Sequence, residues 1–434
     1  MMQDDLEELK RLLVGRKRVH MFGIGGVGMA SLAIILHQRG FKVSGCDVQL
    51  NSWTRELSEL GIPVFEGHHP DYYVEADWCI RSTAVPLDHP VLIKAHESKL
   101  SIYQRGIVLA YLMRENYTIA VAGSHGKTTT AALLAQLLSS GYVIGGSYQG
   151  DHPLALDDRC MVVEVDESDG TFIHFEPDQL IVTNIDYDHL EHHGSADRFL
   201  DAFRQLITQT REQLYFDKQD ALSDELCGAD LKAIPIQWDE RALCYAHPSA
   251  YNQKNVSAAL VVADRLLGRS IKTSEVARLP KIKRRHEVLF EQGGMSIITD
   301  YAHHPTEIKA LIEAAQNNKA YTRIIVIFQP HRYTRTRAMK KEIASAFNGV
   351  DALCITPVYA ASEKPIEGGL ANDVVACTQE VEGLEVSLSE DLIAAWKWGR
   401  EQMQPGVQLL LVGAGDIDNL RREIDDWSSD HYCN

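Results

Sequence analysis

The stretch 117–138, YTIAVAGSHGKTTTAALLAQLL, leaves the chain little choice of local structure. Its first six residues form an apolar run of the length of a buried strand. Two glycines, Gly123 and Gly126, bracket a tight turn, and from Thr128 onward the apolar density is that of a helix. A strand that passes through a glycine turn into a helix offers backbone N–H groups and the helix N-terminus to an anion. Lys127 would neutralise that anion, and the Thr128 hydroxyl could hold a divalent ion. The pattern is shorter than the general phosphate loop, whose first glycine would fall at Val121, and reads G-x-x-G-K-T-T. Gly123, Ser124, His125, Gly126, Lys127, Thr128 and Thr129 are the candidate phosphate-binding residues.

A chain of 434 residues is too long for one compact domain, and the units around the loop divide into three. Residues 18–47 read as strand, turn, helix, strand: apolar 19–22, the turn GIGGVG at 23–28, a helix over 29–39, and a second strand at 41–45 running into Asp47. G-x-G-x-x-G with a following acidic residue can seat a diphosphate and does not say whose. Taken alone it would suggest an NAD-dependent oxidoreductase. Further strands at 62–65, 78–81 and 102–105 complete a parallel α/β domain, which should end near residue 115.

The second domain opens with the phosphate loop. Two of its later strands, 160–164 and 180–183, run into the acidic clusters EVDESD and NIDYDH. Ligands of open parallel sheets bind beyond the carboxyl ends of the strands, so both clusters should share the loop's rim. Carboxylates and a histidine there suit a divalent ion that bridges phosphates. His192 and His193 read as surface residues. Asn252 and Asn255 open an apolar helix, where they suit either capping or the reading of a base. The basic patch 281–287, KIKRRHE, reads as a charged linker or a functional hinge.

A third α/β unit follows, with strands at 295–299 and 323–328 and a helix over 306–316. Its second strand ends in QPHRYTRTR, where three arginines and a histidine suit capture of a carboxylate or phosphate, since guanidinium pairs bidentately with such groups. The predicted fold class is therefore α/β in three domains: 1–115, Rossmann-like; 116–284, a P-loop ATPase-type parallel sheet; and 285–434, again Rossmann-like. A formal net charge of -17 argues against a general nucleic-acid or anionic-membrane binder. With no spanning segment or leader legible and eight cysteines scattered singly, the reading is a cytoplasmic protein with reduced thiols.

The motifs GIGGVGM, GSHGKTTT, EVDESDGTF, TNIDYDH, DYAHHPTE, QPHRYTRT, EKPIEG and GAGDI, in this order, resemble the Mur ligases nearly end to end. The phosphate loop and TNI-x-x-DH resemble the family at large. GIGGVGM, DYAHHPTE with QPHRYTRT, and EKPIEG resemble its alanine-adding bacterial member; a tripeptide-recycling member shares much of the rest. The resemblance implies domains for a UDP-sugar, ATP and an amino acid. It implies ATP-dependent ligation of L-alanine to UDP-N-acetylmuramate through an acyl phosphate, in peptidoglycan precursor synthesis. Two magnesium ions and closure of the domains over the substrates are implied as well. Carried over by motif, Lys127, His189 and Arg332 are catalytic; Thr128, Glu164 and His189 hold magnesium, with Asn184 nearby. Asn252, Asn255, Arg285 and Asp300 join the loop in binding ATP. Gly25, Gly26, Gly28, Asp47, Ser82 and Arg105 face the UDP-sugar. Tyr301, His303, Arg332 and Arg335 form the amino-acid pocket. A monomer or weak homodimer is expected. Two departures stand out: a short segment at 139–158, and Tyr251 where the family usually has histidine.

Overall fold

The structure is a computed structural model that describes all residues except 1, 2, 16, 74, 146–153, 158, 169, 188–192, 246–249, 362, 433 and 434. Three sheets form among the described residues. The first is all parallel, ordered Val64–Glu66, Lys42–Asp47, Arg18–Phe22, Trp78–Arg81, Ile102–Gln104. The order reverses at Arg18–Phe22, so the glycine turn that follows this strand lies at the switch point, where such sheets bind ligands.

The second sheet is ordered Ala233–Ile236, Gln213–Asp217, Gln179–Val182, Tyr117–Ala122, Cys160–Glu164, Gly141–Val143, Leu154–Ala155, and is parallel except for its last strand. The phosphate-loop strand lies between the two strands that carry the acidic clusters, and all three run in the same direction. The described residues of both clusters therefore emerge on the loop's rim. Strand Tyr117–Ala122 is buried from Thr118 to Ala122 because helices cover both faces of such a sheet, which is why it reads as a continuous apolar run. The helix behind it, Lys127–Leu138, buries Thr128 to Ala135 without a gap.

The third sheet is ordered Glu287–Gln292, Met295–Asp300, Val407–Val412, Arg323–Phe328, Ala352–Ile355, Glu385–Leu388, with only its first strand antiparallel. The chain packs as two compact units: residues 1–244 with 255–280, and residues 245–254 with 281–434. The first unit holds the first two sheets; a single apolar cluster runs through both, from Leu9 to Cys227. Its leading helix, Gln3–Gly15, contributes Leu9 and Leu12, the buried stripe of the acidic amphipathic start.

Helix Arg105–Met113 and the short 3-10 helix Thr171–His174 meet where the two sheets of this unit join. A Cβ on Gly106 would lie 1.8 Å from Thr171 Oγ1 and 2.7 Å from its Cβ. Gly106→Ala should therefore lower the melting temperature, by an overpacking cost of about 1–3 kcal/mol. Adding Thr171→Ala should recover part of the loss, because the nearest clashing atom is gone. A Gly106→Ala protein that melts with the wild type would refute this account of the junction.

Candidate active site

The phosphate loop is fastened from two sides. Gly123 takes φ +130°, and a Cβ there would lie 2.2 Å from Thr183 Oγ1; Gly126 takes φ +81°, with Asn255 Oδ1 2.3 Å from its would-be Cβ. Both the backbone angles and the space require glycine. Asn255 thus lies against the loop rather than serving only as a cap, and Asn252, one turn earlier in helix Ala250–Leu267, is buried too.

Residues 183–186 hold the other side of the turn. Thr183 Oγ1 and Asn184 Nδ2 donate to His125 O at 2.6 and 2.9 Å, and His125 N donates to Asn184 Oδ1 at 2.9 Å. Ser124 N donates to Asn184 O at 3.1 Å. Ser124 Oγ donates to Asp186 O at 2.7 Å and accepts from Asp186 N at 2.8 Å. The buried His125 ring meets Asp186 Oδ2 at 3.3 Å. Asn184, expected beside a metal, spends both ends of its amide on the loop backbone. His189 lies outside the described residues.

Lys127 Nζ donates to Gly123 O at 2.7 Å, Ser124 O at 3.2 Å and Glu167 Oε1 at 3.0 Å, with Glu167 Oε2 at 2.8 Å. Burial alone would lower the Lys127 pKa, but the charges of Glu167, Asp166 and Glu164 outweigh it and raise the value above the ordinary one. The lysine is held as an ammonium. Thr128 Oγ1 lies 3.0 and 2.9 Å from the two oxygens of Glu164, and Glu164 Oε2 also accepts from Gly145 N at 2.6 Å. A hydroxyl and a carboxylate meeting at the start of the loop helix are the hard oxygen ligands magnesium takes, so these residues fit the ion. The Thr129 side chain is buried. Sequence reasoning missed Glu167. His193, read as a surface residue rather than a ligand, is half buried, donates Nε2–H to Glu167 O at 2.9 Å and stands edge-on to Phe199; His192 lies outside the described residues.

The residues expected to face the UDP-sugar also gather on one rim of the first sheet. Gly25 N donates to Asp47 Oδ2 at 2.8 Å, and Asn51 Nδ2 donates to Gly25 O at 3.0 Å. Asp47 is thereby folded onto the turn. Gly26 caps helix Val27–Gln38, and a Cβ there would make only an ordinary contact with Gly23 O at 3.8 Å, whereas a Cβ on Gly28 would lie 3.1 Å from the Arg105 guanidinium carbon. Ser82 N donates to Phe22 O at 2.9 Å, and Ser82 Cβ is 2.9 Å from the would-be Cβ of Gly23. Asn51 was missed; its signal was an asparagine three residues before Thr54, the pair that closes a capping box.

In the second compact unit, Asp300 ends strand Met295–Asp300 and accepts from His286 N at 2.7 Å and Ala302 N at 2.8 Å. Burial pushes its pKa up to about 6, with Arg285 pulling the other way. The patch 281–287 is built in, not a loose linker. Arg284 donates to Gly413 O at 2.6 Å and Gly415 O at 3.0 Å, and Glu287 pairs with both prongs of Arg421 at 3.1 and 2.9 Å. Arg284 and Arg285 both lie over the Tyr301 ring, at 4.8 and 5.1 Å.

His303 Nδ1 lies 3.0 Å from Tyr301 O, and its ring is 5.7 Å from that of His331. Strand Arg323–Phe328 delivers the arginines, and Arg332 caps helix Tyr333–Ala346 in a left-handed conformation, φ +67°. Its backbone is pinned by Arg332 N donating to Tyr359 O at 2.9 Å and by Thr336 Oγ1 donating to Arg332 O at 2.8 Å. Its Nε is a buried donor without a hydrogen-bond partner among the described residues, which points to an anion there. Arg335, 8% exposed, donates Nη1–H to His331 Nδ1 at 3.3 Å. Two further residues support this pocket. His331 orients Arg335 and stacks on Tyr359 at 5.5 Å, and Glu363 accepts from Thr334 N and Oγ1 at 3.0 and 2.7 Å. His331 was expected with the arginines as an anion-binding group, whereas Glu363 sat inside the motif EKPIEG without a role.

Residues 18–117 match the family described as "Mur ligase family, catalytic domain", residues 121–259 the "Mur ligase middle domain", and residues 284–415 the "Mur ligase, glutamate ligase domain". The chain is 35% identical over 448 residues to a UDP-N-acetylmuramate–L-alanine ligase of Anaeromyxobacter sp., covering 94% of this chain and 97% of that one. Among solved structures it superposes on UDP-N-acetylmuramate-alanine ligase from Thermotoga maritima with a TM-score of 0.78 and 25% identity, over 95% and 99% of the two chains. A murein peptide ligase from Psychrobacter arcticus shares the fold, with a TM-score of 0.69 at 19% identity over 94% and 98%.

Proposed function

Because this chain belongs to the Mur ligase family, we propose that it is an ATP-dependent ligase that joins L-alanine to the lactyl carboxylate of UDP-N-acetylmuramate. The products are UDP-N-acetylmuramoyl-L-alanine, ADP and phosphate, a step of peptidoglycan precursor synthesis. The observation that carries the ATP half of this reading is the loop rim. Lys127 and the Thr128–Glu164 oxygen pair sit together on a turn whose glycines cannot be replaced without clash.

A carboxylate is a poor electrophile until one oxygen becomes part of a leaving group. Transfer of the γ-phosphoryl group to the lactyl carboxylate gives an acyl phosphate and ADP. The α-amine of alanine then adds to the acyl carbon, phosphate leaves from the tetrahedral adduct, and the nitrogen loses its proton. Thr128 and Glu164 would hold magnesium, which when bound offsets the charge on the phosphate oxygens. Lys127 supplies a fixed positive charge where negative charge builds in phosphoryl transfer, and the loop N–H groups add to it. Arg332 and Arg335 orient the alanine carboxylate so that its amine is presented for attack. No side chain has to act as a covalent nucleophile.

Phosphate release, measured with ATP, magnesium, UDP-N-acetylmuramate and each amino acid in turn, tests the proposal. Release should need all four components and be fastest with L-alanine; a peptide-recycling ligase would instead prefer a tripeptide. NAD and NADP should be neither bound nor reduced. Full ATP hydrolysis without the sugar nucleotide would sink the ligase reading. Among the described residues no helix is long and apolar enough to cross a membrane.

A further inference from the structure

Lys127 has three N–H donors, and all are engaged: by Gly123 O, by Ser124 O and by the Glu167 carboxylate. A nucleotide phosphate can reach this ammonium only by taking the place of one of these acceptors or by sharing it. The two carbonyls belong to the loop itself. Glu167 does not: it comes from the chain beyond the neighbouring strand Cys160–Glu164, and it is 2% exposed.

Its backbone is secured. Glu167 O accepts from Gly170 N at 3.2 Å and from His193 Nε2 at 2.9 Å, and Ser168 N donates to Asp166 Oδ1 at 3.0 Å. A carboxylate mounted this firmly cannot swing into solvent by a simple rotation of a loose loop. It therefore stays close to any phosphate that approaches Lys127, as a like charge with the same partner. This cluster differs from the Thr128–Glu164 pair, whose two oxygens face each other across the helix start.

We propose that Glu167 is a positioning residue for the nucleotide reaction: its buried carboxylate holds the Lys127 ammonium over the loop before nucleotide binds, and nucleotide phosphates compete with it for that ammonium. The arrangement keeps the lysine charged and aimed at the cost of weaker ground-state binding of ATP. The inference rests on the reading of the loop as the nucleotide site.

Calorimetric titration of metal-free ATP in EDTA tests it, since without magnesium nothing is hydrolysed and a metal ligand cannot contribute. Glu167→Gln keeps the shape and an acceptor but removes the charge. It should bind ATP more tightly than wild type, with a fall in Kd of roughly fivefold to twentyfold from the lost repulsion. A residue with a merely structural role would leave binding unchanged or weaken it when replaced. A Kd within twofold of wild type, or higher, overturns the proposal. Circular dichroism establishes whether the variant folds. If it does not, the comparison moves to Lys127→Met against Lys127→Met with Glu167→Gln. There the carboxylate faces phosphate with no ammonium between, so adding Glu167→Gln should tighten ATP by more than twofold, and a smaller gain overturns the proposal equally. Wild type that binds no ATP at all would refute the nucleotide site itself; wild type that binds while Glu167→Gln gains nothing would refute only the role of Glu167.

Discussion

Lys127→Ala lowers the rate of phosphate release by at least about two orders of magnitude, corresponding to roughly 3 kcal/mol or more of lost transition-state stabilisation. The size follows from what the ammonium does. It is a preorganised charge, already held by Gly123 O, Ser124 O and Glu167, so it needs no reorganisation as phosphoryl transfer develops. The same substitution has a second effect. It leaves the Glu167 carboxylate, 2% exposed, without its ammonium, and an uncompensated buried charge of this kind typically costs about 3–5 kcal/mol of stability. Rate and melting temperature therefore have to be measured together, with Lys127→Met and Glu167→Gln combined as the control that removes both charges. The combined variant should melt nearer to wild type and remain inactive. Recovery of activity along with stability would show that Lys127 matters to the fold and not to the chemistry.

Arg335→Ala raises the KM for L-alanine by roughly thirtyfold to several thousandfold while leaving the KM values for ATP and UDP-N-acetylmuramate within a fewfold of wild type. A buried carboxylate that loses one charged hydrogen-bond partner costs about 2–5 kcal/mol. The geometry adds that Arg335 is buried and oriented by His331 Nδ1, so its guanidinium plane is set before a ligand arrives. Arg335→Lys should rescue poorly. An ammonium is a point charge that cannot reproduce the planar fork, and it would have to reach the same place from a shorter anchor to His331. Arg332→Ala should act in the same direction, since its Nε is a buried donor awaiting a partner. Normal apparent affinity for alanine in both variants would place the pocket elsewhere.

The strands of these sheets were legible because their burial on both faces leaves no room for polar alternation. Observed strands Tyr117–Ala122, Cys160–Glu164, Trp78–Arg81 and Arg323–Phe328 coincide with the apolar runs, and the strand ahead of the second acidic cluster is shifted by a single residue. Glycines carried the turns for the same kind of reason: Gly123 and Gly126 sit where any Cβ would strike Thr183 or Asn255. Assigning single residues within a motif was harder. EVDESD contains four acids, and strand period singles out none of them once the strand has ended at Glu164. Which acid returns to Lys127 depends on the Asp166–Ser168 turn and on His193, which lies more than sixty positions beyond the phosphate loop and reads as surface. Glu363 was hidden differently: it acts on Thr334, and a supporting contact of that kind leaves no trace in spacing.

Arg332 constrains any re-engineering of this chain. At φ +67° the backbone prefers glycine, so on conformational grounds alone the arginine is the wrong residue. Methods that rank sequences by fold energy will favour its removal, and each such improvement discards the guanidinium. The interests of durability and of turnover part company at this residue, which a redesign has to hold constant while it optimises everything around it.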